Sequence, residues 1–150
     1  MHFDLSDKQQ QLIGVARELG PNFARRASRY DREAVFPTEN YQDLKNAGFL
    51  RLCVPEKYGG IGADYPTYML VAAEIGRGCG ATALTFNMHT CAPLYAGAML
   101  DAYRLTGAQL DEQHKRRVHH FGRIVEHGAL YSQPFSEGGE DWTQRPYATS

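Results

Sequence analysis

The sequence has no excess of charge of either sign. Its 150 residues include 17 Asp and Glu against 16 Lys and Arg, which leaves a formal net charge of -1. A chain with this balance produces no long-range field that would attract nucleic acid or an acidic membrane. We therefore expect neither nucleic acid nor a membrane among its partners, and any anionic ligand must be bound by local groups.

Cysteine is scarce and shows no pairing pattern. Cys53, Cys79 and Cys91 are an odd number without CxxC spacing. This argues against a disulfide framework and fits a reducing compartment, so we interpret the three residues as small core hydrophobes. The N-terminus also lacks a basic start followed by an apolar run. We expect a cytoplasmic protein.

One stretch lacks charge altogether. Between Arg77 and Asp101 there is no Asp, Glu, Lys or Arg, over a length that could cross a membrane. The stretch nevertheless contains polar residues, Asn87 and His89 among them, and Pro93. We interpret it as a buried helix from about residue 81, kinked at Pro93 and central in a soluble helical bundle.

Helical spacing of apolar residues dominates the first 128 residues. Ser6 and Gln9 fit a capping box, which opens a helix that Gly20 and Pro21 are expected to end or kink. Short helices are predicted after Thr38 and around Pro66. The second of these has its inward positions at helical spacing. Those positions are Tyr68, Val71, Ala72 and Ile75.

Two further segments have distinct patterns. Leu50, Leu52 and Val54 alternate with other residues and predict a brief extended segment, and the glycines of residues 59–62 fit a tightly turning loop. This loop lacks the Lys-Ser/Thr of a phosphate-binding P-loop. It is followed, later in the chain, by an amphipathic helix over residues 108–127 that Gly128 stops. Its predicted apolar side consists of Leu110, Val118, Phe121 and Val125.

From Ala129 onward the period changes to the alternation typical of a strand. The sequence thus predicts a mainly α chain, with a helical domain over residues 1–128 and the first strand of a β-domain within residues 129–150. Serine and glycine in "SEGG", residues 136–139, are suited to a ligand that approaches the main chain closely, and equally to an ordinary hairpin turn.

Neither a metal site nor a catalytic residue is predicted. The six histidines include no i, i+4 pair with His, Cys or carboxylate that resembles a zinc site. His89 and Cys91 could imitate a base and nucleophile, but side chains two apart on a helix do not face each other. We interpret both as buried structural residues.

The run from Phe36 to His89 resembles the N-terminal helical domain of the acyl-CoA dehydrogenase family. The order of its proline, glycine and aromatic positions carries the resemblance, which extends over roughly residues 4 to 141. The residues that carry it are Phe36-Pro37, Leu44, Gly48, Val54-Pro55-Glu56, Tyr58-Gly59-Gly60, Gly62 and Glu74-Ile75.

The resemblance implies a flavoprotein that binds FAD and an acyl-CoA-like substrate. In that family, a strand with a Thr/Ser-Glu-Pro signature passes the flavin, and Ser136 with Glu137 is similar to the Thr/Ser-Glu pair. Gln133, Phe135 and Ser136 are the cofactor contacts that the resemblance implies. Phe86 and Met88, on the uncharged helix, are expected to line the acyl-tail pocket.

The implied reaction is α,β-dehydrogenation of an acyl-CoA thioester in fatty acid metabolism. The family's proton-abstracting glutamate lies in a later helical bundle, so we expect a truncated chain that is inactive alone and belongs to a homo-oligomer, a dimer or tetramer, when complete. Gly138 and Gly139 replace the family's Pro and Gly-Ser-Asp elements. Two alternatives therefore stay open: a flavin-dependent monooxygenase of the same fold, and a non-catalytic helical interaction module.

Overall fold

The computed structural model describes residues 4–97 and 103–132. These residues form five α-helices and two short 3-10 turns. The helices are α1 (Asp7–Glu33), α2 (Thr38–Asn46), α3 (Tyr65–Gly78), α4 (Gly80–Gly97) and α5 (Gly107–His127), and the 3-10 turns are Phe49–Arg51 and Glu56–Tyr58. The prediction of a mainly helical domain is confirmed.

Helix α1 begins at the predicted capping box and continues past Gly20 and Pro21. Ser6 accepts a hydrogen bond from Gln9 N, and the Gln9 side chain accepts one from Ser6 N. The helix does not end at Pro21, because α1 runs through it, and a kink there stays a prediction. A proline inside a helix costs about 3 kcal/mol. Burial of apolar side chains on both sides of it, Ala16 before and Phe23 after, offsets that cost.

Most of the core lies between α1, α3 and α4. Helix α1 packs along α3, and α3 packs along α4. The predicted inward face of α3 is confirmed, since Tyr68, Val71, Ala72 and Ile75 are all buried. Helix α4 contains Pro93 without ending there. One side of α4 enters this core, while other side chains, Leu84 and Tyr95 among them, are exposed among the described residues.

The extended segment predicted at Leu50, Leu52 and Val54 is wrong. Residues Phe49–Arg51 form a 3-10 turn, and Leu52 N donates to Phe49 O at 3.0 Å. The alternation was misleading because Cys53, between two of these residues, is buried as well. The chain turns through the core here, so three consecutive side chains, Leu52, Cys53 and Val54, are all buried.

The glycine loop after this turn is tight, as predicted. Gly59 and Gly62 adopt φ values of 84° and 66°, which favour glycine. A Cβ at Gly60 would lie 1.8 Å from Val54 O, so no other residue fits without moving the chain. The loop therefore needs its glycines for its own geometry.

Helix α5 has nearly the predicted bounds, and its buried side agrees with the prediction only in part. Leu110 and Val118 were predicted to face inward, yet they are 50% and 52% exposed. Arg117, Phe121 and Ile124 are the buried residues. Phe121 is buried as predicted, but other apolar residues of α5 stay exposed because this helix packs mainly against the 3-10 turns and α4.

Gly128 ends α5 in the left-handed conformation at φ 66°, as predicted. Residues 129–132 have no regular secondary structure, so the strand predicted from Ala129 is not seen there. The predicted flavin contacts Gln133, Phe135 and Ser136 lie outside the described residues. Among residues 4–97 and 103–132, none of the helices has the length and apolar character needed to cross a lipid bilayer.

Candidate functional site

The outer face of α4 carries an apolar strip that is partly exposed among the described residues. Leu84, Met88, Cys91 and Tyr95 follow one another at spacings of four, three and four residues, so they share one side of the helix. Leu84 is 65% exposed and Tyr95 is 46% exposed, while the two residues between them are half-buried. We call these four residues the α4 strip.

The opposite side of α4 belongs to the core. Phe86 has no exposed surface and packs within the large apolar cluster, whereas Met88 lies on the α4 strip. Residues two apart on an α-helix project about 200° from each other. The structure therefore does not bring Phe86 and Met88 onto one surface, and their assignment to an acyl pocket stays a prediction.

Two cavities flank α4. The larger, about 840 Å³, lies beside the glycine loop. Its lining residues include Cys53, Pro55, Ala63, Tyr65, Leu94 and Gly97. The smaller cavity, about 250 Å³, separates α4 from α5. Its lining residues include Ala92, Pro93, Ala96, Gln113, Phe121 and Tyr131. Among the described residues the buried Gln113 Nε2 has no hydrogen-bond partner. A ligand with a hydrogen-bond acceptor in the smaller cavity would satisfy this donor.

His89 is a buried residue whose two ring nitrogens are both used. It is 1% exposed, its Nε2 lies 2.7 Å from Leu50 O, and its Nδ1 accepts a hydrogen bond from Tyr131 N at 3.1 Å. Burial lowers the pKa of His89, although the hydrogen bond to the Leu50 carbonyl opposes the shift. The ring is therefore neutral at pH 7, and the structural role predicted for it is confirmed.

The cysteines are free thiols rather than a catalytic set. Cys53 and Cys79 are buried, which confirms the prediction for them, while Cys91 is half-buried on the α4 strip. Burial raises the pKa of Cys53 to about 12, with smaller contributions from Cys91 and Asp64. A thiol with this pKa is protonated at pH 7, so Cys53 is not an activated nucleophile.

Two histidines of α5 contact tyrosines. His120 Nδ1 lies 2.8 Å from the Tyr131 hydroxyl, and His114 Nδ1 lies 3.0 Å from the Tyr58 hydroxyl. The pKa of His120 is lowered by burial and by the charges of neighbouring residues on α5. In the part of the chain that the structure describes, no three His, Cys, Asp or Glu side chains are arranged to hold a metal ion.

Sequence reasoning missed two features of this region. The α4 strip has a signal in the sequence, because Leu84 and Met88 are four apart on a helix without charge. Tyr131 has none, since its partners His89 and His120 are 42 and 11 residues away along the chain. Only the fold brings Tyr131 together with His89 and His120.

Comparison with known proteins gives the same family over most of the described helices. The model of "Acyl-CoA dehydrogenase, N-terminal domain" matches residues 6–99. The probable acyl-CoA dehydrogenase YngJ of Bacillus subtilis is 33% identical over 91 residues, which are 57% of this chain and 23% of that protein. The human mitochondrial short-chain specific acyl-CoA dehydrogenase is 31% identical over 102 residues, 65% of this chain and 23% of the relative.

A relative with a different activity is similar to the same extent. The dibenzothiophene monooxygenase of Rhodococcus erythropolis is 36% identical over 103 residues, which cover 68% of this chain and 23% of that enzyme. The chain thus spans about a quarter of the length of the curated relatives it matches. Because the family model covers well over half of its residues, the chain belongs to the acyl-CoA dehydrogenase family, through that family's N-terminal domain.

Proposed function

We propose that the complete protein is an FAD-dependent oxidoreductase that dehydrogenates an acyl-CoA thioester, and that this chain supplies one wall of its acyl pocket. The α4 strip is the observation that carries the proposal. It extends about 16 Å from Leu84 to Tyr95 at 1.5 Å per residue, which is long enough to run beside an acyl chain. Each methylene buried there contributes about 0.8 kcal/mol to binding.

Phe86 and Met88 take different parts in this proposal. Met88 is half-buried on the strip and contacts the acyl chain, whereas Phe86 supports α4 from the core side. No residue of this chain is proposed as the catalytic base. Glu74 is the one acidic residue of α3, but its carboxylate pairs with Arg17 at 3.0 Å and with Arg77 at 3.7 Å.

For FAD, we propose contacts from Gln133, Phe135 and Ser136. The surroundings of Tyr131, two residues before Gln133, support this proposal. Tyr131 lines the smaller cavity together with apolar side chains and the unpartnered Gln113 Nε2. Such a mixture suits the edge of a planar ring that accepts hydrogen bonds. Bound FAD would accept the electron pair that leaves the substrate.

A flavin-dependent monooxygenase is the second candidate function. Two observations favour it: the 36% identity to the dibenzothiophene monooxygenase, and Gly138 and Gly139 in place of the family's usual elements. This enzyme would share the fold and use a flavin, but act on an aromatic or other substrate. In the dehydrogenase an acyl-CoA would reduce the flavin, whereas in the monooxygenase oxygen would oxidise the reduced flavin.

Spectroscopy of the complete protein separates the candidates. We expect bound flavin whose visible absorbance bleaches when an acyl-CoA is added without oxygen. Oxygen consumption by the reduced flavin, without bleaching by any acyl-CoA, would instead establish the monooxygenase. A complete protein that is purified without flavin, and does not take it up, contradicts both. We also propose a homo-oligomer, which sedimentation of the same sample checks.

A substitution on the α4 strip tests the pocket wall. Met88→Gln keeps the side-chain length but adds polar atoms, so we expect the Kd for a long-chain acyl-CoA to rise about tenfold, or about 1.4 kcal/mol. Met69→Gln on α3 is the matched control, because Met69 is 46% exposed and lies off the strip. Equal affinities in the two variants would remove Met88 from the acyl pocket.

A further inference from the structure

His89 joins three parts of the chain that are distant in sequence. It projects from α4, donates from Nε2 to Leu50 O in the first 3-10 turn, and accepts at Nδ1 from the Tyr131 backbone. A carbonyl can only accept and a backbone N–H can only donate, so the two contacts fix the neutral tautomer with hydrogen on Nε2. The other tautomer would set two donors against each other at Tyr131 and leave the Leu50 carbonyl without a donor.

Tyr131 is held a second time through its side chain. Its hydroxyl lies 2.8 Å from His120 Nδ1 on α5, and the two rings meet edge to face with centroids 5.7 Å apart. Just before it, Gly128 reverses the chain in the left-handed conformation, and Ala129 N donates to Arg123 O. The backbone of Tyr131 is thus tied to α4 and its ring to α5.

We propose that His89 is a positioning residue that fixes where, and in which direction, the chain leaves the helical domain. The consequence for the cofactor rests on the function proposed above. Gln133 follows Tyr131 by two residues, or at most about 7 Å of extended chain. A displacement of the Tyr131 backbone would therefore also displace the predicted flavin contacts. The buried imidazole acts through Tyr131 and touches no reacting atom.

Two near-isosteric substitutions of His89 each keep one of its two hydrogen bonds and remove the other. In His89→Asn, the amide oxygen takes the place of Nδ1 and keeps the acceptor for Tyr131 N–H. In His89→Gln, the amide nitrogen takes the place of Nε2 and keeps the donor to Leu50 O. Both variants remove the ring from the same buried site, so their general effects on packing are comparable.

Amide hydrogen exchange of Tyr131, measured by NMR in the 150-residue chain, gives the first test. We expect slow exchange in the unchanged chain and in His89→Asn, and exchange about fivefold faster in His89→Gln, because a buried hydrogen bond contributes about 1 kcal/mol. Tyr131→Phe removes only the hydroxyl contact and should keep the amide protected. Equal exchange in His89→Asn and His89→Gln would overturn the proposal.

The ring itself gives an independent readout. The ¹⁵N shifts of His89 at pH 7 should show a protonated Nε2 and an unprotonated Nδ1, and a charged ring or the opposite tautomer would also overturn the proposal. In the complete protein, His89→Gln should weaken flavin binding more than His89→Asn does. If Tyr131 exchange follows the expected order but flavin binding is equal, His89 still positions Tyr131, and the cofactor role of residues 133–136 is wrong.

Discussion

The two apolar clusters of this domain differ greatly in size. Seventeen of the described residues form the first cluster, which α1 to α4 share, whereas the second contains only Val54, Phe121 and Ile124. The second cluster alone attaches α5 weakly, and specific polar contacts supplement it. Arg117 donates to Ala96 O at 2.7 Å and to Gly97 O at 3.1 Å. The first region is held by burial, and the second by a few directed bonds.

Removing one phenylalanine from each cluster should have the largest effects. Phe23 is 0% exposed in the first cluster and Phe121 is 1% exposed in the second. We expect Phe23→Ala to lower the free energy of unfolding by about 3–5 kcal/mol, because a large cavity opens in a shared core. Phe121→Ala should cost less and should loosen α5 while α1 to α4 stay folded.

Urea unfolding combined with amide exchange distinguishes the two outcomes. In Phe121→Ala, amides of α5 should exchange faster while those of α3 keep their protection. If both variants lose protection throughout the domain, the two clusters form one cooperative unit and α5 does not loosen separately.

Arg117 gives the next largest effect. Arg117→Met keeps an apolar stem but leaves the carbonyls of Ala96 and Gly97 without these donors, so we expect a loss of about 1.5–3 kcal/mol, seen mainly as faster exchange in α5. Arg116→Met is the matched control, because Arg116 is 72% exposed and pairs with Glu112 on its own helix. The control should change stability by about 0.5 kcal/mol or less.

The same contrast explains which features the sequence could predict. The buried face of α3 followed from periodicity, because this helix packs along its length against α1 and α4. The face of α5 followed only in part, since periodicity identifies apolar side chains but not whether each has a packing partner; Phe121 is buried as predicted. Leu110 was therefore predicted buried and is exposed, while Arg117 was not predicted and is buried.

The candidate site divides in the same way. The position of Met88 on a charge-free helix could be predicted from the residues around it, whereas its role in an acyl pocket stays a proposal. The bond between His89 and Tyr131 could not be predicted, because it joins residues 42 apart through a turn of the fold. The continuation of α1 through Pro21 could not be predicted for a related reason: local propensity opposed a helix that distant packing stabilises.

The smallest predicted effect concerns an ion pair in the first region, between α1 and α2. Hydrogen bonds from Arg29 and then from Tyr30 lower the pKa of Glu39 from 4.5 to about 2. Because the folded pKa is the lower one, the contribution to stability is complete above pH 4.5 and is lost as the pH falls toward 2. Glu39→Gln should therefore flatten the dependence of Tm on pH over this interval. The difference should shrink in 1 M salt, since the Glu39 side chain is 49% exposed and a Debye length of about 3 Å screens the pair. Parallel Tm curves for the two proteins from pH 5 to pH 2 would mean that directed polar bonds add nothing to a region already held by burial.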